Sequence, residues 1–296
     1  MTGVIVINKE QKFTSFDVVA VMRGITKEKK IGHTGTLDPM ATGVLPILLG
    51  RGTKACDLLP NSDKTYVADF KFGIKTDTGD IWGQIKEEKL STVLKEDVEK
   101  ALSNFRGDIF QIPPMYSAVS VNGQRLYDLA RKGIEVEREK RAIHISKLEL
   151  LDFDGENGKL EISCSKGTYI RTLIEDIAES LGYLATMTGL VRTYACGFSA
   201  NEALTLKQLE EIVKNGKLEE VLKPVENLFE EYPIAQVTSA QATRFSNGGE
   251  LDISRLKLVK IKLNDGDILR VYDEKFIGLG KINLEKNCLK FLKKFE

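Results

Sequence analysis

The stretch Lys30–Gly52, KIGHTGTLDPMATGVLPILLGRG, sets five glycines (Gly32, Gly35, Gly43, Gly50 and Gly52) around His33, Thr34, Thr36, Asp38 and Thr42. Glycine loses more backbone freedom on folding than any other residue, so this density marks tight turns or a close approach of backbone to a ligand. The stretch holds neither a P-loop sequence nor GxGxxG, so neither nucleotide-binding fingerprint applies. Two readings of Asp38 stand. It caps a helix beginning at Pro39, as Asp-Pro turn chemistry often does, or it is a carboxylate that a rigid loop presents to a ligand.

Outward from this loop, strand and helix periods interleave. Gly3–Asn8 is a short apolar run that reads as a buried strand, and Ser15 can cap a helix whose Val18, Val19, Met22 and Ile25 form one stripe. Tyr66–Phe72 alternates, with Tyr66, Ala68, Phe70 and Phe72 on one face. Ser117–Val121 reads as a strand ended by the turn Asn122-Gly123. A short helix is expected over Arg125–Lys132, and a strand over Leu160–Ser165. From Thr168 a helical stripe runs through Ile170, Leu173, Ile174, Ile177 and Leu181 to Gly182. No regular βαβ unit recurs, so the fold class is α+β with a mixed, mostly antiparallel sheet.

Three further places carry candidate chemistry. Tyr66 is a core aromatic, or a ring that stacks on a planar substrate. Arg171 falls in the first turn of the helix opened by Thr168, where the macrodipole disfavours a cation. It either snorkels to the surface or turns inward to hold an anion, for which a carboxylate is the natural partner. Asn122–Arg141 carries Arg125, Tyr127, Arg131, Lys132, Arg138, Lys140 and Arg141 among four acidic residues. It is a solvated face or a phosphate-contacting flap. His144 lies in an alternating run and reads as structural, while His33 is suited to phosphate or base contact.

Composition sets the limits. The 296 residues fit one large domain, or a large and a small one, and 42% hydrophobic content excludes a chain disordered throughout. The 43 Lys+Arg cancel 43 Asp+Glu. Locally they do not: residues 201–250 hold nine acidic and five basic side chains, residues 251–296 eleven basic and seven acidic. Near that change of sign, helical stretches (Leu206–Lys214 with Thr205 and Gln208 in capping-box spacing, and Leu218–Lys223 before Pro224) give way to short alternating runs. Leu258–Leu263, Ile268–Tyr272 and Phe276–Ile282 read as a small β module starting near Glu231. Four separated cysteines and two histidines make a Cys/His zinc site improbable. No apolar run is long enough to span a membrane, and MTGVIVINKEQ lacks the regions of a signal peptide. The expectation is a reduced, cytoplasmic protein without membrane or metal partner.

In this order the segments closely resemble the TruB-type tRNA pseudouridine synthases. The similarity is carried by Gly32–Pro46 (GHTGTLDPMATGVLP), Lys64-Thr65-Tyr66, Gln111–Ala118 (QIPPMYSA), Val121–Tyr127 (VNGQRLY), Gly167–Arg171 (GTYIR) and Gly189–Thr193 (GLVRT). It implies a catalytic domain over residues 1–231 with a thumb-like RNA-binding insertion at about 122–145, and a PUA-like module over 232–296. It also implies isomerisation of uridine 55 in the TΨC loop of tRNA by base flipping, without metal or organic cofactor. Asp38 would be the essential carboxylate, with Arg171 as its partner. Tyr66 would stack on the base, and as a phenol of ordinary pKa near about 10 it would be a poor base at neutral pH. Leu190 would wall the uracil. His33, Lys64, Tyr169, Arg125, Arg131 and Lys132 would contact the RNA.

The resemblance further implies that the basic C-terminal module contacts the acceptor stem. A stand-alone monomer with no obligate protein partner is expected, since the chain opens directly on its first strand and the C-terminal module is minimal. The rivals are a dyskerin-type synthase using guide RNA and partners, a non-catalytic RNA binder or folding chaperone, and an aspartyl-phosphate enzyme. The last lacks the sequence that would accompany Asp38.

Overall fold

A computed structural model describes residues 1–60, 63–258 and 262–295. The main sheet runs in the order Gly3–Lys9, Thr42–Leu49, Ala185–Ala195, Lys64–Phe72, Asn157–Cys164, Arg141–Phe153, Gly107–Gln111, with Ile31–His33 beside Thr42–Leu49 and Phe198–Ser199 beside Ala185–Ala195. Every strand pairing in it is antiparallel except that of Ala185–Ala195 with Thr42–Leu49, which sets Arg192 opposite Gly43. That register decides the site. Tyr66 lies between Arg192 on one neighbouring strand and Ile162 on the other, and Leu190 lies opposite Ala68. Alternation in Lys64–Phe72 buries Tyr66, Ala68, Phe70 and Phe72. Helix Ile170–Ser180 packs Ile170, Leu173, Ile174 and Ile177 into the same core, together with Leu37 from the glycine-rich loop. A buried aliphatic or aromatic side chain contributes about 1.5–3 kcal/mol, so this layer fixes helix and loop against the sheet.

Several local expectations change. Thr14, not Ser15, caps helix Ser15–Thr26, in a reciprocal box with Asp17. No helix starts at Pro39. The chain turns once, Ala41 N–H to Asp38 C=O at 3.1 Å, and enters strand Thr42–Leu49. Tyr169, not Thr168, precedes helix Ile170–Ser180. Its side chain makes no cap; instead Gln111 clamps its backbone, Oε1 accepting from Tyr169 N–H at 2.7 Å and Nε2 donating to Tyr169 C=O at 3.0 Å. The expected strand over Ser117–Val121 shrinks to Ser120–Val121, which pairs with Gln124–Arg125 across Asn122 (φ 51°) and Gly123 (φ 79°). Positive φ at both turn residues is what an Asn-Gly hairpin provides. The short helix there covers Leu126–Ala130, and Arg141–Phe153 is a strand of the main sheet.

A second sheet, Leu251–Asp252, Cys288–Lys294, Phe276–Asn283, Ile268–Tyr272, Ile234–Gln236, Lys257–Leu258, folds around Phe245 of helix Ser239–Ser246. The sequence run Leu258–Leu263 falls largely outside the described residues. This sheet shares apolar contacts with the first: Phe229 packs at a tilt against Phe295 (5.3 Å between centroids) and Phe276 (6.3 Å), in one cluster with Val4 and Phe198. Among the described residues, no helix is long and apolar enough to cross a membrane.

Candidate active site

Asp38 sits where two cavities meet. The inner one, about 350 Å³, is lined by Asp38, Lys64, Tyr66, Tyr169, Arg171 and Leu190. The outer one, about 990 Å³, adds His33, Phe16, Trp82, Arg125 and Arg131. The structure thus gathers nine of the ten sequence-derived candidates around one carboxylate. Lys132 is not among them. It lines a neighbouring depression that shares Arg125, Tyr127 and Arg131 with the outer cavity.

The carboxylate is held by its loop. Arg192, fully buried, donates from Nε to Val44 C=O (2.7 Å), from Nη2 to Gly35 C=O (3.2 Å) and from Nη1 to Thr36 C=O (3.4 Å). Ser15 Oγ accepts from Leu37 N–H at 2.8 Å, which explains why this buried serine is not spent on the helix cap. Lys9, also fully buried, donates from Nζ to Phe13 C=O (2.7 Å), Glu10 C=O (2.9 Å) and Pro39 C=O (3.1 Å). Residues on both sides of Asp38 are therefore tied down, and Asp38 itself is the half-exposed point. A side chain at Gly43 (φ 102°) would collide with the Arg192 carbonyl, so the loop can rejoin the sheet only through glycine.

Arg171 is turned inward. Its Nε lies 3.1 Å from Asp38 Oδ2, Nη1 donates to Thr78 C=O at 2.6 Å, and Nη2 donates to Tyr116 C=O at 3.0 Å. Asp80 Oδ2 stands 3.9 Å from Nη1. Burial raises the Asp80 pKa from its ordinary value against the pull of Thr78 and Arg171. Sequence reasoning missed Asp80, Lys9, Arg192 and Gln111. Arg192 does belong to the quoted GLVRT segment, and Lys9 directly follows the first apolar run, but neither carries a local sign of burial.

Electrostatically the pocket is rich in cations. Burial lowers Lys9 to about 8, opposed by Asp38 and aided by the Arg192 charge. Burial also holds Lys64 below its ordinary range, and His33 likewise, with the Arg192 charge adding to it in both cases. His33 is therefore neutral at pH 7, and its buried Nδ1 has no hydrogen-bond partner among the described residues. Burial pushes the Tyr66 phenol up to about 12, although the Arg192 guanidinium pulls the other way. Among the described residues no group of three or more His, Cys, Asp or Glu side chains is arranged to hold a metal ion.

A family model described as TruB family pseudouridylate synthase (N terminal domain) matches residues 23–170, and one described as tRNA pseudouridylate synthase B C-terminal domain matches residues 171–230. The tRNA pseudouridine synthase B of Clostridium tetani is 47% identical, covering 95% of this chain and 96% of its own length. That of Fusobacterium nucleatum is 43% identical over 98% of each. Among solved structures, a Cbf5–Nop10–Gar1 complex superposes with a TM-score of 0.79 at 25% identity, covering 99% of this chain and 85% of that one. An H/ACA ribonucleoprotein bound to a substrate RNA containing 2'-deoxyuridine does so at 0.78 and 23%, with the same coverage, a likeness of fold.

Proposed function

Given that the chain belongs to the TruB family and isomerises uridine to pseudouridine in tRNA, we propose that its target is uridine 55 of the TΨC loop and that Asp38 drives the reaction. The observation that carries this reading is the 3.1 Å approach of Arg171 Nε to an Asp38 whose flanking backbone is anchored on both sides, at the mouth of a pocket floored by Tyr66 and Leu190.

The reaction breaks the N1–C1′ bond, turns the uracil, joins C5 to C1′ and moves the C5 proton away, with no net gain or loss of atoms. An ionised carboxylate serves it by attacking the sugar or by stabilising positive charge there. The uracil that departs carries negative charge, and Lys64, which lines the pocket, together with the buried Arg192 favours it. Leu190 and the Tyr66 ring hold the base while it turns. With the phenol near about 12, only about 10⁻⁵ of Tyr66 is phenolate at pH 7 in the RNA-free protein, which casts its ring as a stacking surface and its hydroxyl as a donor.

A uridine inside a folded loop must first leave its stack, which costs a few kcal/mol, offset by contacts to the flipped base. His33, Tyr169, Arg125 and Arg131 line the path by which it enters, and Lys132 adds positive charge on the adjoining face. The thumb-like segment at about 122–145 and the PUA-like module of residues 232–296 supply phosphate contacts, the module toward the acceptor stem. In this reading the chain acts as a monomer in the cytoplasm, with no protein partner.

The test is tritium release from an unmodified tRNA transcript labelled at uridine C5, using purified protein and its Asp38→Asn variant. One tritium released per tRNA by the unaltered protein alone, abolished when the target uridine is changed, is the expected result. Tight binding without release overturns the stand-alone assignment. Release by Asp38→Asn at an undiminished rate overturns the role of Asp38.

A further inference from the structure

The outer cavity is nearly three times the volume of the inner one, about 990 against about 350 Å³, and the inner one already holds the groups that act on the reacting nucleotide. Two large apolar rings stand at its edge with much of their surface in solvent: Phe16 is 64% and Trp82 42% exposed. Exposed together at the rim of one cavity, rather than scattered singly, they form the kind of apolar patch that marks a binding surface.

Neither ring is loosely placed. Phe16 lies in the first turn of helix Ser15–Thr26, directly after the serine that holds the Asp38 loop, and the Arg23 guanidinium lies 5.7 Å from its ring centroid. The Trp82 backbone N–H donates to Asp80 Oδ1 at 3.3 Å, and the same loop is stitched to the main sheet by Ile81 N–H to Met187 C=O (2.9 Å) and Met187 N–H to Gly79 C=O (3.1 Å). Thr78, in that loop, accepts from Arg171. Both rings are thus mounted on the elements that position Asp38 and Arg171. Arg125 and Arg131, both exposed, line the same cavity.

We propose that Phe16 and Trp82 form a stacking platform for the unpaired bases that adjoin the target uridine in the substrate RNA. The proposal rests on the tRNA-modifying reading above and deepens it. Every nucleobase has a π-face, so aromatic rings grip splayed bases without demanding a sequence, and arginines beside them neutralise the connecting phosphates. A surface for another protein would not need arginines lining the same cavity as the rings, nor a cavity that Asp38 also lines. The platform holds the loop open after the target uridine has left its stack. It therefore acts on capture of the RNA rather than on the bond-breaking step.

Trp82 is the only tryptophan of the chain, so its fluorescence reports on this position alone. The experiment titrates the full-length protein, as wild type and as Asp38→Asn, with an unmodified hairpin RNA carrying the TΨC loop, following tryptophan emission and, separately, filter retention. The expected result is saturable quenching that tracks binding, and loss of that quenching when the nucleotides beside the target are replaced by abasic spacers. In tritium-release kinetics, Trp82→Ala and Phe16→Ala should each raise KM about five- to tenfold, the lower part of the range for losing one base–aromatic stack, with kcat within about twofold. Trp82→Phe, which keeps an aromatic face, should recover most of that loss. RNA that binds and is converted while Trp82 emission stays unchanged overturns the platform. So does a Trp82→Phe as impaired as Trp82→Ala, or an alanine variant with unaltered KM. Wild type that neither retains nor converts the RNA overturns the tRNA-modifying reading itself, and the platform falls with it.

Discussion

Replacing Arg171 by methionine keeps an unbranched side chain in a slot where the arginine side chain is only 6% exposed, and removes the guanidinium. Thr78 C=O and Tyr116 C=O then lose their donors, at about 1–3 kcal/mol for each buried carbonyl left unsatisfied. Breaking a buried ion pair costs about 3–5 kcal/mol, but these losses overlap, and Asp38 at 41% exposure recovers much of its share from water. We expect about 3–5 kcal/mol in all. The loss should depend on pH. Asp80 already has a raised pKa through burial, and removal of Arg171 raises it further. A carboxylate raised in the folded state binds more protons there than in the unfolded chain, so the variant loses stability as pH rises through that value. Urea unfolding from pH 4.5 to 8 should therefore show a deficit that widens with pH. In tritium-release assays kcat/KM should fall by at least about 10²-fold, because Asp38 loses its orienting partner, with the Kd for tRNA within about twofold. A deficit below about 1 kcal/mol that is flat with pH, or losses of affinity as large as those of rate, would refute the assignment of Arg171 as the holder of Asp38.

Tyr66→Phe should leave tRNA binding intact and lower kcat, and the wild-type rate should show no phenolate titration below about pH 10; a rate that rises with such a group nearer neutrality would return Tyr66 to the role of base. Lys9 has a folded value of about 8 against 10.5, so the unfolded chain holds more protons between them and the fold gains stability as pH rises through that window, by up to about 3 kcal/mol. Lys9→Met should remove this rise from urea midpoints measured between pH 7.5 and 10; an identical rise in both proteins would assign it elsewhere. Glu175, raised to about 7 chiefly by burial, works in the opposite direction, since the folded state holds the extra proton from about pH 4.5 to 7 and wild type loses stability there. Glu175→Gln should match wild type at pH 4.5 and exceed it by up to about 3 kcal/mol at pH 8, and a constant difference would contradict the cause. Lys281 and Lys286 are exposed on the second sheet; changing both to glutamate should raise KM for whole tRNA and leave a TΨC hairpin unaffected, whereas equal effects on both RNAs would place these charges near the loop instead.

What could be read in the sequence was what neighbouring residues decide. The Tyr66–Phe72 alternation, the Thr205 and Gln208 capping box and the Asn122-Gly123 turn all depend on residues a few positions apart, and all three stand in the fold. The pattern around Arg171 left an outward and an inward reading open; the resemblance implied Asp38 as its partner, and the structure places its Nε 3.1 Å from that carboxylate. The misreadings arose where a distant residue claimed a polar group. Ser15 gave its hydroxyl to Leu37, so the cap passed to Thr14. Gln111, 58 residues away, clamps the backbone of Tyr169 at the start of helix Ile170–Ser180, and the Thr168 hydroxyl donates to Ser165 C=O instead of capping. Lys9 and Arg192 were invisible for the same reason. Nothing in the local pattern distinguishes a lysine that ends a strand at the surface from one whose three donors all find carbonyls inside.

Those two cations also explain how the site holds its shape. Lys9 bonds to carbonyl oxygens and Arg192 to carbonyl oxygens and the Tyr66 hydroxyl, and no carboxylate lies within ion-pair distance of either among the described residues. Burying an unneutralised cation is unfavourable, and the lowered Lys9 value shows that cost. The return is geometric, because three of their six bonds to carbonyls fall on Gly35, Thr36 and Pro39, which flank Asp38, and two more tie the Glu10–Phe13 turn to the same lysine. A carbonyl-bonded cation fixes a loop as a carboxylate-paired one would, but leaves its positive field uncancelled. That field reaches the pocket from below, where Tyr66, Lys64 and Leu190 line it. Asp38, at the edge of that pocket, feels this field, as its coupling to Lys9 shows. An alanine at either position would therefore loosen the loop and also remove field, whereas Lys9→Gln removes the charge and keeps two of the three N–H donors, which separates the two effects in part.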